Sequence, residues 1–235
     1  MKRLPILLLL STLPFLASMN GCSSSTSTTT QNYVIVQGNV YNYATTDSSS
    51  SGATHRSTSD SVTNADTTYK GKTHCYEVRA DSISFYHAES NGDVSYYFPS
   101  LATIDSIGAA WITLPFSSKT SAAIVQTGSG TVNTTLSGVP LSIPVTDTIT
   151  VGYVGTDTLT VNGKLLNLSV VKVTILYTAT TPLGSGTVTF TEDYAYSSDI
   201  AFFGKKDFKL VSTGAAASLV TSRSSADVLT SYTIH

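Results

Sequence analysis

Short segments in which apolar and polar residues alternate dominate the chain from Asn32 to the C-terminus. Residues 73–79 and 187–196 both alternate, so that Tyr76 and Tyr194 each lie on the apolar face of their segment. An alternation of period two predicts β-strands with one buried face. Because no segment has the pattern of a four-turn amphipathic helix, we predict an all-β chain of about ten strands.

Two Asn-Gly pairs predict tight hairpins between such segments. Asn162-Gly163 joins residues 156–161 to residues 164–177, and Asn91-Gly92 joins two tyrosine-rich segments. A two-residue turn at the second pair would place Tyr86 opposite Tyr97, whereas a turn that includes Asp93 would shift this register by one residue. The sequence alone leaves this register open between the two turns.

The composition of the remaining segments predicts whether each strand lies in the centre or at the edge of the sheet. Residues 164–177 are the most apolar stretch and predict a central strand, and the segment around Trp111 predicts a buried strand. Pro140 and Pro144 predict an edge strand or a loop, because proline cannot donate to a central ladder. Residues 44–68 are almost entirely polar, which favours a pair of polar edge strands over a mobile loop.

About ten strands joined by hairpin turns predict an antiparallel all-β domain. Such strands form either a single curved sheet or a two-sheet β-sandwich. The alternation by itself fits both architectures, because each has one buried and one exposed face per sheet.

The N-terminus has the three parts of a bacterial secretion signal. Lys2 and Arg3 give a positive start, residues 4–16 are almost continuously apolar, and Gly21 precedes Cys22. The apolar segment is shorter than the about 20 residues that a membrane span needs. The segment resembles a lipoprotein signal, which implies lipidation of Cys22; the alternative is ordinary cleavage after Ala17.

This signal predicts the organisation of the whole chain. Residues 1–21 form the signal peptide, residues 22–31 a Ser/Thr-rich tether, and residues 32–235 one all-β domain with a long polar insert around 44–68. The predicted location is the bacterial cell envelope, at the outer membrane facing the periplasm, with the cell surface as the alternative. Lipid on Cys22 would be the contact with the membrane.

Charge and cysteine content narrow the possible partners and chemistry. Only 12% of the residues are charged and the net charge is −2, which argues against nucleic acid as a partner. If Cys22 is lipidated, Cys75 has no partner for an internal disulfide. His74 is next to Cys75 but on the opposite face of a strand, so we predict a buried, unreactive Cys75.

No catalytic or metal site is predicted. His74 and His87 are expected to share a sheet face, but no further ligand completes a metal site. Glu192 and Asp193 fall on opposite faces of one strand, which does not suit an acid–base pair. We therefore predict a protein that is not an enzyme and needs no cofactor.

From Tyr69 onward the order of segments resembles a group of uncharacterised bacterial lipoproteins. Their domain of unknown function is similar to the half-barrel of the LolA/LolB lipoprotein carriers. The resemblance rests on Tyr69-Lys70-Gly71-Lys72, Asn162-Gly163-Lys164, Tyr194-Ala195-Tyr196, Ser198-Asp199-Ile200-Ala201 and Leu229-Thr230-Ser231-Tyr232.

This resemblance implies a strongly curved single sheet and a binding or carrier function for a lipid or other apolar ligand. The thirteen tyrosines are suited to line a ligand groove, since tyrosine combines an apolar body with a hydroxyl group. The ligand-binding residues stay unassigned. The alternative function is a structural or adhesive β protein displayed at the cell surface.

Overall fold

Twelve strands pair into one antiparallel sheet in the order β6-β5-β4-β3-β2-β1-β12-β11-β10-β9-β8-β7. The computed structural model describes residues 35–98, 110–136, 139–181, 184–218 and 220–235. The predicted signal peptide, the tether and Cys22 lie outside the described residues. The strands are β1 (Val40–Ser49), β2 (Gly52–Tyr69), β3 (Lys72–Arg79), β4 (Ile83–Ala88), β5 (Val94–Phe98), β6 (Ala110–Leu114), β7 (Ala123–Leu136), β8 (Val139–Val161), β9 (Lys164–Thr181), β10 (Gly184–Ser197), β11 (Phe202–Gly214) and β12 (Arg223–Thr233).

One face of this sheet is buried. On β1 the buried Tyr41, Tyr43 and Thr45 alternate with more exposed neighbours. Cross-strand pairing continues the same face, because residues directly opposite each other point to the same side of a sheet. A short 3₁₀ helix, Ala215–Ser218, follows β11. Within the described ranges, no helical segment has the length and hydrophobicity needed to cross a membrane.

The sheet curves strongly enough to bring distant strands together. Strands β5 and β10 are seven positions apart in the strand order. In a flat sheet their separation would be about 34 Å at the usual strand spacing. The ring centroids of Tyr96 on β5 and Tyr194 on β10 are only 6.4 Å apart. The prediction of a single, strongly curved antiparallel sheet is confirmed, with twelve strands where about ten were expected.

The structure confirms the predicted turn at Asn162-Gly163 but has a different strand register from that of a two-residue turn at Asn91-Gly92. Val161 pairs with Lys164, and Asn162 and Gly163 both have positive φ values, of 53° and 75°, as the predicted two-residue turn requires. At the other pair, Tyr86 lies opposite Tyr96, which is not the register of the two-residue turn.

Hydrogen bonds to Asp93 explain the shifted register. The backbone N–H of Glu89 donates to the carbonyl of Asp93 at 2.9 Å. The Asp93 carboxylate accepts the backbone N–H groups of Ser117 at 2.8 Å and Ser118 at 2.9 Å. Glu89 and Asp93 therefore close a three-residue turn, Ser90-Asn91-Gly92, in which Gly92 has a positive φ of 86°, and strand pairing begins with Ala88 and Val94.

The polar stretch 44–68 forms strands, but their position in the sheet was predicted wrongly. β1 and β2 pair residue for residue from Val40–Ser61 to Ser49–Gly52, and both strands lie in the middle of the sheet. Residues 49–57, where the two strands meet, are exposed, so central strands can carry polar side chains there.

The prolines lie where β8 has a single neighbour. Pro140 and Pro144 pair with β7, whereas pairing with β9 begins at Val145. The expected edge character is therefore local, because β8 as a whole is the second strand from the sheet edge. No central ladder needs a hydrogen bond from either proline.

Candidate functional site

Aromatic side chains pack against one another on the concave face of the sheet. Phe203 is fully buried, and its ring centroid lies 5.6 Å from that of Tyr86, 5.2 Å from that of Tyr194 and 6.1 Å from that of Phe116. These rings come from β4, β10 and the turn after β6, so the contacts join elements far apart in the strand order. We call this group the aromatic core; it comprises Tyr41, Tyr43, Tyr76, Tyr86, Tyr96, Phe116, Tyr194, Tyr196, Phe202 and Phe203.

Hydroxyl groups within the aromatic core bond to the backbone. Tyr41 Oη donates to the carbonyl of Ile200 at 3.0 Å, and Tyr43 Oη donates to that of Phe203 at 2.9 Å. Burial raises the pKa of Tyr41 to about 12, and burial also raises the pKa of Tyr43 well above its usual value. Both phenols therefore stay neutral and fix the start of β11 against β1.

A charged cluster lies beside the aromatic core on the same concave face. Lys206 Nζ is 2.7 Å from Asp60 Oδ2 and 3.6 Å from Asp227 Oδ2, and it lies 4.5 Å from the ring centroid of Tyr43. Thr45 Oγ1 donates to Asp227 Oδ1 at 2.6 Å. Since Asp60 is only 5% exposed, Lys206 supplies the positive charge that makes burial of this carboxylate tolerable.

Glu192 extends this charged cluster onto β10. Tyr194 Oη donates to Glu192 Oε2 at 2.6 Å. Loss of hydration raises the pKa of Glu192, against the opposing effects of the Tyr194 hydrogen bond and the positive charge of Lys206. Asp193 lies on the other face, where its Oδ1 is 3.6 Å from Lys172 Nζ, so the predicted separation of Glu192 from Asp193 is confirmed.

Two cavities adjoin on the concave side of the sheet. The smaller, of about 170 Å³, lies at the charged cluster and is lined in part by Glu192 and Lys206. The larger, of about 460 Å³, lies at the ends of β1, β2 and β12 and beside the middle of β11, and we call it the end cavity. Phe208 and Ser225 line both cavities. The end cavity is lined by Asp47, Ser48, Ser49, Ser51, Gly52, Ala53, Thr54, Arg56, Phe208, Arg223, Ser224 and Ser225.

Two arginines, Arg56 and Arg223, place positively charged guanidinium groups in the end cavity. Arg56 Nε donates to Asp47 Oδ2 at 2.9 Å, and Arg56 Nη1 donates to Asp81 Oδ2 at 3.2 Å. The guanidinium of Arg223 lies 5.9 Å from the ring centroid of Phe208. Hydrogen bonds from Arg56 and Ser225 and the nearby positive charges lower the pKa of Asp47, which is therefore ionised at neutral pH.

The histidines and Cys75 are not brought together as a site. Cys75 is fully buried as predicted, and burial raises the pKa of its thiol. His87 pairs with Cys75 in the sheet, whereas His74 has a positive φ of 54° and an exposed side chain 2.8 Å from Asp66. The expectation that His74 and His87 share a face was wrong. Among the described residues, no three His, Cys, Asp or Glu side chains are grouped as metal ligands.

Sequence reasoning missed the end cavity because its residues come from two distant polar segments. Asp47 and Arg56 belong to the polar stretch 44–68, and Arg223 lies near the C-terminus. A usable signal was present, since Arg56, Thr58 and Asp60 recur at every second position and therefore share one face.

The comparisons with known proteins give structural likenesses, two of which are to proteins described as lipoproteins. No protein-family model matches the chain, and no curated protein matches its sequence. A protein of Parabacteroides distasonis described as a lipoprotein superposes with a TM-score of 0.43 at 13% identity, over 86% of this chain and 99% of that chain. The hypothetical lipoprotein YmcC of Escherichia coli superposes with a TM-score of 0.34 at 9% identity, over 86% of this chain and 89% of that chain. Both descriptions name lipoproteins, and neither names a ligand.

Replacing Lys206 by methionine tests the charged cluster. We expect Lys206→Met to lower the free energy of unfolding by about 3 kcal/mol, because Asp60 would remain buried without its counter-charge. Urea denaturation measures this change. Lys172→Met, which removes an ion pair on the other face whose partners are 45% and 34% exposed, is the matched control. It should cost about 1 kcal/mol or less.

The double variant Lys206→Met/Asp60→Asn separates charge from packing. It should recover at least half of the stability lost in Lys206→Met, since the uncompensated carboxylate is then absent. Equal losses in the Lys206→Met and Lys172→Met variants would contradict this account of the cluster.

The raised pKa of Glu192 predicts a pH-dependent effect of Glu192→Gln. A carboxyl whose pKa is raised in the folded state stabilises the fold below its unfolded value of 4.5, and this contribution is lost as pH rises through the folded-state pKa. We therefore expect the stability of Glu192→Gln relative to wild type to increase between about pH 4 and about pH 7. Urea denaturation at both pH values measures this difference. A difference that stays constant, or that changes in the opposite direction, would refute the assignment.

Proposed function

We propose that this protein is a membrane-anchored lipoprotein of the bacterial envelope whose β domain binds a small ligand in the end cavity. The observation that carries this proposal is the end cavity itself, which combines about 460 Å³ of space with two arginines and an aromatic ring. Ligand sites commonly have about 300–1,000 Å³ and a few convergent polar groups.

The position of the end cavity supports a role in binding. β1 begins at Val40, whereas the end cavity is lined by Asp47, Ser48 and Ser49 at the other end of that strand. A ten-residue strand is about 30 Å long. A domain attached through its N-terminal side would therefore keep this cavity accessible to ligands.

The packing of the concave face favours a polar or amphiphilic ligand. An acyl chain among the rings of the aromatic core would have to displace contacts such as the stacked pair Tyr41 and Phe202, whose ring centroids are 4.5 Å apart. A lipid or other apolar ligand is the alternative, and its chain would lie beside Phe208 in the end cavity. In the lining of the end cavity, Ser225 hydrogen-bonds to Asp47, but the hydrogen bond from Arg56 lowers the pKa of this carboxylate and makes it a weak base, so we propose binding rather than catalysis.

The anchor and its membrane belong to the proposal as well. We propose lipidation of Cys22 and a position at the outer membrane facing the periplasm, with the cell surface as the alternative. A structural or adhesive β protein is the second candidate function. The filled aromatic core favours it, because such a core stabilises the sheet without any ligand.

Membrane attachment is tested by substituting each cysteine in turn. In cell fractionation, Cys22→Ala should move the protein from the membrane to the soluble fraction, because acyl chains on Cys22 are the proposed anchor. Cys75→Ala is the matched control and should stay in the membrane, since Cys75 is buried in the domain. A Cys22→Ala variant that stays in the membrane would contradict the anchor.

Ligand binding is tested by native mass spectrometry of the full-length lipidated protein released from its own membranes. We expect a bound molecule in addition to the anchor. Ser225→Trp, which places a large side chain where the two cavities meet, should abolish this extra mass. Ser57→Trp, at an exposed position, should retain it. Recovery of lipidated protein without any ligand from the wild type would favour the structural function instead.

A further inference from the structure

We infer that the end cavity recognises an acidic group, a carboxylate or a phosphate, with Arg223 as the main donor and Arg56 as the second. This inference rests on the proposed binding function and specifies the chemistry of its ligand. It depends on where the sheet places the two arginines, on how each is already paired, and on the distribution of charge in the cavity.

Strand register places both arginines on the concave face, on either side of β1. Arg223 on β12 lies opposite Ser49, and Arg56 on β2 lies opposite Thr45. Positions 45, 47 and 49 of β1 share one face, so Asp47 projects between the two guanidinium groups. The three charged side chains therefore line the same cavity.

The two arginines differ in the partners that they already have. Arg56 pairs with Asp47 and with Asp81, whose side chain is 84% exposed. Within the part of the chain that the structure describes, Arg223 has no ion pair within 4.0 Å, and its contact is the ring of Phe208. This contact with the ring leaves the N–H groups of the guanidinium for a ligand.

The distribution of charge leaves Arg223 for an anion. Arg56 and Arg223 line the end cavity together with Asp47, and Asp81, which is not part of the lining, also pairs with Arg56. Arg56 therefore already has two carboxylate partners, whereas Arg223 has no ion pair among the described residues. A planar guanidinium binds carboxylate or phosphate oxygens through two parallel hydrogen bonds, which are stronger than those to neutral groups.

The other residues that line the end cavity indicate which chemical groups the ligand carries besides its acidic group. Phe208 provides an apolar surface next to Arg223, while Ser49, Ser224 and Ser225 provide hydroxyl groups. A small acid with a ring or a short chain fits this combination. The acidic group can belong to a free molecule or to a lipid headgroup, and the experiment distinguishes these two sources.

The experiment uses the full-length lipidated protein in phosphatidylcholine nanodiscs and ligand-observed NMR titrations. The probes are benzoate, octanoate, inorganic phosphate and the neutral benzyl alcohol. We expect the three anions to bind and benzyl alcohol to bind far more weakly. A preference for benzoate indicates a free ring acid, whereas a preference for octanoate indicates an acid with an acyl chain, as in a lipid.

Three variants test the role of Arg223. Arg223→Gln should weaken anion binding about 10-fold or more, as expected for loss of hydrogen bonds to a charged group. Asp47→Asn should strengthen anion binding, because it removes the carboxylate that competes for both arginines. Arg79→Gln removes the same charge from an exposed side chain on β3 and should change the affinity less than about twofold.

The outcomes separate this inference from the proposed function. Equal effects of Arg223→Gln and Arg79→Gln, or equal affinities for benzoate and benzyl alcohol, would overturn the acidic-group inference. If the native protein still carries a ligand that Ser225→Trp abolishes, the binding function stands without that inference. Absence of both a native ligand and any probe binding would overturn both.

Discussion

Packing of aromatic rings across the curved sheet is the interaction on which the rest of the structure depends. Strands β5 and β10 contact each other through Tyr96 and Tyr194 although seven strand positions separate them in the sheet order. Phe203 lies between rings from β4 and β10 and is fully buried. Burying an aromatic side chain removes a large apolar area from water, so these rings stabilise the curvature.

The aromatic core also determines where polar groups can lie on the concave face. Rings fill the space around Phe203, while Lys206 pairs with Asp60 and Asp227 beside them. Beyond this charged cluster, the ends of β1, β2 and β12 and the middle of β11 line the end cavity, which includes Arg56 and Arg223. These four strands are consecutive in the sheet, so strand register brings their lining residues together beside the aromatic core.

Local sequence patterns predicted the strands and the hairpin at Asn162-Gly163 well, since a tight turn and the alternation of a strand depend on neighbouring residues alone. The order of strands depends on pairing between distant residues, which is why the polar strands β1 and β2 were expected at an edge. At Asn91-Gly92 the structure has a three-residue turn closed by Glu89 and Asp93, and the Asp93 carboxylate is held by Ser117 and Ser118, which lie far along the chain. The end cavity was missed because Arg56 and Arg223 meet only through strand pairing.

The central claim, that the sheet closes on itself through its aromatic core, is tested most directly by nuclear Overhauser effects between ring protons of selectively labelled tyrosines. We expect a cross-peak between Tyr96 and Tyr194, whose ring centroids are 6.4 Å apart. Tyr86 and Tyr96, on adjacent strands with centroids 5.3 Å apart, provide the positive control. A cross-peak for the adjacent pair together with none between Tyr96 and Tyr194 would contradict the curved sheet.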